Sequence, residues 1–208
     1  MPCVEPVVLV PVKAFADAKA RLAGALSPSD REALARFTAA TVLDAAAPAR
    51  AYVACDSDVV AQWAADRGVG VLWHPGLGLN NAIMHGVADL AAAGAEHVVV
   101  AHGDLPRATG LAAVATRGCI TLVPDRAGEG TNVLALPLPT AFEFSYGPGS
   151  FHRHLATALA LDCRVRVLRH PLLALDIDTP DDLMHPLVQE VLSPWLRTNP
   201  VNPSPLHG

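Results

Sequence analysis

The sequence predicts one α/β domain in which a mostly parallel, mixed sheet lies between two layers of helices. Short β-branched runs alternate with longer Ala- and Leu-rich segments, the rhythm of strands connected by crossover helices. The chain has 208 residues, 51% hydrophobic and 17% charged, enough to bury one large core. Helix starts are marked by a cap residue, a proline and an early carboxylate in succession.

Taken in order, the strand candidates are VVLVPV (7–12), AYVA (51–54), VGVLW (69–73), HVVVA (97–101), CITLV (119–123), TNVLAL (131–136) and RVRVL (164–168). Ser27-Pro28-Ser29-Asp30 opens a predicted helix over 28–47, and Thr179-Pro180-Asp181-Asp182 opens another over 180–192. An amphipathic stretch covers 151–161. Residues 1–192 are expected to form the domain, and the proline-rich end, 193–208, to be an irregular tail with no assigned function.

The formal charge of −5 argues against a nucleic-acid or anionic-membrane surface built on clustered Lys and Arg, and favours small substrates. Cys3, Cys55, Cys119 and Cys163 stand far apart without a C-x-x-C pair, so they read as reduced core thiols. The start of the chain has no basic-then-apolar leader, and no run approaches the roughly 18 apolar residues of a membrane span. A cytoplasmic protein is expected. The nine histidines show no zinc spacing, and His152 and His154, two apart on a predicted helix, cannot share a face; they read as structural or surface residues.

Ligands of open α/β sheets bind beyond the carboxyl ends of the strands, so the loops there hold the candidate chemistry. After the first strand, Lys13, Lys19 and Arg21 place three cations within nine residues. They suit a polyphosphate, although a solvated loop would carry them equally well and no P-loop is present. The fourth strand ends in His102-Gly103-Asp104-Leu105-Pro106. Farther on, Leu175-Asp176-Ile177-Asp178-Thr179-Pro180 places two carboxylates on one face of an extended segment while Ile177 turns to the core. Asp104, Asp176 and Asp178 could together hold Mg²⁺; strand-end aspartates are also common as caps and turn residues, and Asp181 and Asp182 complement the helix dipole. Gly147-Pro148-Gly149-Ser150, before the amphipathic stretch, reads as an ordinary turn and helix cap. Asn80, in His74-Pro75-Gly76-Leu77-Gly78-Leu79-Asn80-Asn81, is a helix-cap candidate.

These motifs in this order, V-P-V-K-x-x-x-x-A-K-x-R-L, G-L-N, G-D-x-P, P-D-x-x-x-x-G-T-N, F-x-Y-G-x-x-S-F and D-x-D-x-P-x-D, resemble the 2-phospho-L-lactate/phosphoenolpyruvate guanylyltransferases of the CofC/FbiD type from about Val8 to Asp182. The resemblance implies a Rossmann-like, GT-A-like nucleotidyltransferase fold and transfer of GMP from GTP to a small phosphorylated carboxylic acid, on the way to the deazaflavin coenzyme F-420. It implies Lys13, Lys19, Arg21 and Asn80 as nucleotide ligands, Thr131, Gly147 and Ser150 as the acceptor site, and Asp104, Asp176 and Asp178 as ligands of Mg²⁺, two ions being expected. Those aspartates and Lys13 are the implied catalytic groups. Phosphoenolpyruvate, 2-phospho-L-lactate and 3-phospho-D-glycerate are the candidate acceptors; an Ala- and Arg-rich composition that looks actinobacterial favours the first. The rivals are a nucleotide-sugar transferase of the same broad fold and a magnesium-free binding module. His102 and Asn81 depart from the family's flanking residues.

Overall fold

The first apolar run becomes β1 (Val7–Pro11), and the alternation of its side chains decides the layering. In the computed structural model, which describes residues 5–198, Val8, Val10 and Val12 join a core with Ala35, Ala39 and Val42, whereas Leu9 packs with Ile83, Val87 and Leu90. Successive side chains leave opposite faces of a strand, so one buried strand feeds two cores. The helices supplying those cores, α1 (Pro28–Asp44) and α3 (Gly78–Ala92), therefore cover opposite faces of the sheet. α2 (Asp58–Asp66) joins the α1 side through Val60 and Ala64, and α4 (Ser150–Ala160) joins the α3 side through Phe151 and Ala158.

Six further strands complete the sheet: β2 (Ala51–Cys55), β3 (Gly70–Trp73), β4 (His97–Ala101), β5 (Cys119–Pro124), β6 (Thr131–Pro137) and β7 (Arg164–Val167). Their order is β3-β2-β1-β4-β6-β5-β7. β6 runs antiparallel to both β4 and β5, and the remaining pairs are parallel, so this is the mixed three-layer sheet the sequence predicts. Each strand lies within a residue of its sequence reading. Because β1 to β4 run the same way, the loops after them open on one edge of the sheet, where ligands of such folds bind.

Helix boundaries depart from the sequence reading where prolines intervene. α1 begins as expected, with the Ser27 hydroxyl accepting the Asp30 N–H at 3.2 Å and Pro28 in the first turn, but it ends at Asp44 rather than 47. Pro48 follows closely, and a residue before proline is driven out of the helical region. The predicted helix over 180–192 is two helices, α5 (Pro180–Leu183) and α6 (Pro186–Thr198), because Pro186 has no N–H to give the preceding turn and serves instead as a first-turn residue. α6 carries helical backbone into the expected irregular tail; residues 199–208 of that tail lie outside the described residues, as does Cys3. No described helix is long and apolar enough to cross a membrane.

A small third core decides where the acidic segment sits. Ile177, fully buried, packs with Leu22, Leu26 and Leu34 on one side and with Val188 and Leu192 of α6 on the other. The segment before α5 is thereby pinned against the loop after β1. Leu173, Leu175 and Ile177 are buried in alternation, leaving Asp176 and Asp178 on the opposite side of the extended chain.

Candidate active site

The loop after β1 makes two short turns of 3₁₀ helix, Phe15–Asp17 and Ala20–Leu22, held down by buried Phe15 and Leu22. Between them Lys19 takes a left-handed conformation, φ 58°, alone among the described non-glycine residues. That region costs an ordinary side chain free energy and persists where surrounding contacts over-determine it. Here they do: the Lys19 ammonium donates to Asp104 Oδ2 at 3.1 Å and to the Ile177 carbonyl, and lies 3.7 Å from Asp178 Oδ1. Its side chain is 7% exposed.

The three expected phosphate ligands therefore differ. Lys13 is exposed beside the crevice. Arg21 is also largely exposed and reaches Asp178 Oδ2 at 3.5 Å. Lys19 is turned inward as the counter-ion of the aspartates. All three line one crevice of about 380 Å³ together with His102, Gly103, Asp104 and Asp178. A second cleft of about 180 Å³ adjoins it at the ends of β1, β2 and β3, sharing Lys13, Asp17 and Leu79 and adding Cys55, Asp56 and His74.

Asp104, Asp176 and Asp178 gather at this end of the sheet in different electrostatic states. Burial raises the Asp104 carboxyl, but the neighbouring Lys19 charge, with His102, outweighs it and holds the group below the usual carboxylate range. Among the described residues no cation pairs with Asp176. Burial and then the charge of Asp104 push it up to about 7, with smaller contributions from Asp178 and Asp125, against a hydrogen bond from Asn132 Nδ2 at 3.3 Å. Asn132 is itself buried, and its amide also donates to the Leu173 carbonyl at 3.1 Å, fixing it as a support for Asp176.

The donor set fits a hard divalent cation in two respects. Asp104 Oδ1 is buried with no hydrogen-bond partner among the described residues, and the carboxylate repulsion that adds to burial in raising Asp176 is what a bound cation relieves. Among the described residues no three such side chains yet converge closely enough to hold an ion. The Lys19 ammonium lies in the space between Asp104 and Asp178. The helix after these aspartates is anchored independently: Asp182 and Thr179 form a capping box, and Asp182 also accepts the Asp178 N–H at 3.1 Å. This agrees with the local, helix-directed reading of Asp182.

Thr131 and Ser150 are buried and Gly147 is exposed beside them, and none of the three belongs to the crevice wall. The Thr131 N–H donates to Ser150 Oγ at 3.1 Å, and the Ser150 N–H to the Gly147 carbonyl at 3.0 Å. Gly147 has φ 124° and Gly149 φ 69°, conformations that suit residues without a side chain. The helix cap is Gly149, with no side chain to offer, and Ser150 is the first helical residue, its hydroxyl turned to β6. His154, expected to be structural or at the surface, is fully buried here with Nδ1 3.0 Å from Thr131 Oγ1.

Asn80 does not cap α3, which begins at Gly78 after Leu77. Its side chain grips the backbone of Tyr146 instead, accepting the N–H at 2.7 Å and donating to the carbonyl at 3.4 Å. Both of its polar atoms thus serve the loop that leads to Gly147 and α4. His102, mostly enclosed and held toward neutrality by burial, lies against the Tyr146 ring at 4.8 Å between centroids.

Comparison with known proteins gives the same picture. A phosphoenolpyruvate guanylyltransferase of Sphaerobacter thermophilus is 39% identical over 85% of this chain and 90% of its own length. A 2-phospho-L-lactate guanylyltransferase of Methanothermobacter thermautotrophicus is 30% identical over 84% of this chain and 81% of its own. Among solved structures, a nucleotidyl transferase from the latter genus superposes with a TM-score of 0.59 at 16% identity, covering 93% of this chain and 99% of that one, which establishes the nucleotidyltransferase fold. The family model described as "Guanylyl transferase CofC like" matches residues 6–190, and with relatives at these identities along nearly the whole chain, the protein belongs to that family.

Proposed function

We propose that the chain transfers GMP from GTP to the phosphate of phosphoenolpyruvate, with 2-phospho-L-lactate and 3-phospho-D-glycerate as the competing acceptors. The observation that carries this reading is the crevice itself: Lys13, Lys19 and Arg21 line it together with Asp104 and Asp178, on a chain whose relatives are named for this transfer.

A phosphate oxygen of the acceptor attacks the α-phosphorus of GTP, the bond from that phosphorus to the bridging oxygen breaks, and pyrophosphate leaves with the electron pair. Two anions must meet, so the chain's task is positioning and charge neutralisation. The adjoining cleft at the ends of β1 to β3 suits the nucleoside, which puts the triphosphate against the loop after β1. Lys13 and Arg21, both reaching solvent there, neutralise the departing pyrophosphate. Asp104, Asp176 and Asp178 would hold Mg²⁺, which when bound supplies charge stabilisation to the transferring phosphoryl group. Asn132 orients Asp176 for that role through its buried amide. The Thr131, Gly147 and Ser150 corner, with its peptide groups and hydroxyls at the start of α4, receives the acceptor's carboxylate.

The test is pyrophosphate release from GTP and Mg²⁺ with each acid in turn, ATP serving as the control nucleotide and Asp178→Asn as the control enzyme. Release with GTP and phosphoenolpyruvate, lost in the variant, supports the proposal. Silence with all three acids, or equal release in Asp178→Asn, would overturn it, and silence would bring forward the nucleotide-sugar transferase reading.

A further inference from the structure

His154 lies within α4 with no solvent exposure, walled by the rings of Tyr146 and Phe142 at centroid distances of 4.6 and 5.5 Å. The Ser145 backbone N–H donates to its Nε2 at 2.9 Å. A peptide N–H can only donate, so Nε2 must present a lone pair, and the single proton of the neutral ring belongs to Nδ1. Burial, then the charges of Arg153 and His102, push the ring down to about 4, so the neutral form is the one present near neutrality. Nδ1 is 3.0 Å from Thr131 Oγ1, and with the tautomer decided the direction follows: the imidazole donates and the hydroxyl oxygen accepts.

The consequence concerns polarity. Ser150 Oγ likewise accepts, from the Thr131 N–H at 3.1 Å. Neither oxygen has a second hydrogen-bond partner among the described residues. Both hydroxyls at this corner thus have a lone pair occupied by a nitrogen donor and their own protons free. Such hydroxyls can donate to an anion. With the opposite tautomer, Thr131 would give its proton to the ring and turn only lone pairs to a carboxylate, which repels them.

We propose that His154 is a positioning residue for the acceptor substrate: by donating from Nδ1 it commits the Thr131 hydroxyl to donate to the acceptor's carboxylate. The inference rests on the reading of the Thr131, Gly147 and Ser150 corner as the acceptor site, and extends it to a histidine that touches no substrate.

Two measurements on the full chain test it. In protein labelled with ¹⁵N-histidine, the His154 ring is expected to show proton coupling at Nδ1 and an unprotonated Nε2; protonated Nε2 at neutral pH overturns the proposal. In kinetics, His154→Ala is expected to raise KM for the phospho-acid about tenfold while leaving KM for GTP within about twofold, the scale of one lost hydrogen bond to a charged group. His154→Asn, whose amide nitrogen stands near the position of Nδ1, should recover most of that loss. The same replacement made on Thr131→Val should add nothing further. Equal rises in both KM values, or additive effects of His154→Ala and Thr131→Val, would show a merely structural histidine. Should the alanine variant not fold, His154→Asn and the ring spectrum still decide. An active enzyme in which Thr131→Val leaves KM for the acid unchanged removes the acceptor-site reading and this inference with it. An enzyme that turns over with no acid removes the assigned reaction, while the ring spectrum still reports the tautomer.

Discussion

Lys19 and Asp104 form an ion pair of 3.1 Å between side chains 7% and 21% exposed, across the space where the proposed nucleotide phosphates and cation must sit. The pair joins the loop after β1 to the end of β4, and the same ammonium reaches Asp178 and the Ile177 carbonyl from the third core. One cation thus holds together the carboxylates of two separate segments. Without it, Asp104 would be a partly buried charge beside Asp178 with no paired cation.

Replacing Lys19 by methionine keeps the stem and removes the charge. The metal-free protein is expected to lose roughly 2 kcal/mol, less than the removal of a partner from a fully buried pair because Asp104 keeps some contact with water. Mg²⁺ should restore a larger share of stability in the variant than in the wild type, since it relieves the same repulsion. Urea denaturation with EDTA and with Mg²⁺ measures both. Equal stabilisation of the two proteins by Mg²⁺ would mean that Lys19 and the cation do not share a task.

Buried His154 and partly buried Asp176 give the metal-free protein opposing responses to pH. Asp176 titrates at about 7 folded and near 3.8 unfolded. Between those values the folded state keeps a proton that the unfolded chain has released, so this group makes stability fall as pH rises from about 4 to about 7. His154 is the reverse, about 4 folded against 6.5 unfolded: the unfolded chain binds the extra proton, and stability is lost as pH falls through that window. Asp176→Asn should therefore steepen the rise of stability with pH, and His154→Gln should flatten or invert it. Denaturation midpoints in EDTA from pH about 4 to about 8 show the slopes. Parallel curves for both variants and the wild type would sink the assignment.

The strands and the aspartates at their ends were legible because each rests on local chemistry: β-branched runs, a proline behind a strand end, alternate side chains on an extended segment. Asp104, Asp176 and Asp178 fall where such patterns place them, at the open end of the sheet. Lys19 was legible as a cation but not as an inward one, since its direction depends on a left-handed backbone and on partners far along the chain. His154 carried no usable signal: its neighbours Thr131 and Ser145 come from other segments, and its helical spacing from His152 speaks only against a shared face. The division at Pro186 was readable in principle, for a proline placed mid-helix is itself a stop.

Asn80 tests whether a motif residue acts on ligand or on scaffold. Both its amide atoms engage the Tyr146 backbone, which carries the loop leading to Gly147 and α4. Asn80→Ala should cost about 1–2 kcal/mol of stability, the scale of a lost hydrogen bond and an unpaired peptide group. KM for the phospho-acid should rise more than KM for GTP, because the disturbed loop leads to the proposed acceptor site. A selective rise in KM for GTP with unchanged stability would return Asn80 to the nucleotide.

Ser150 joins the scaffold and the proposed chemistry in one atom. Its hydroxyl oxygen is the partner of the buried Thr131 N–H, so Ser150→Ala leaves that donor unsatisfied, at about 1–3 kcal/mol. The same change removes one of the two hydroxyl protons proposed to face the acceptor's carboxylate. Ser150→Thr, which restores an oxygen, should recover stability if the extra methyl is accommodated, and acid affinity only if the hydroxyl keeps its direction. Thermal denaturation and KM for the phospho-acid, followed together in both variants, separate the two roles. A stability loss in Ser150→Ala with no change in KM for the acid would leave Ser150 as a purely structural link between α4 and β6, and would move the carboxylate to the peptide groups of the turn.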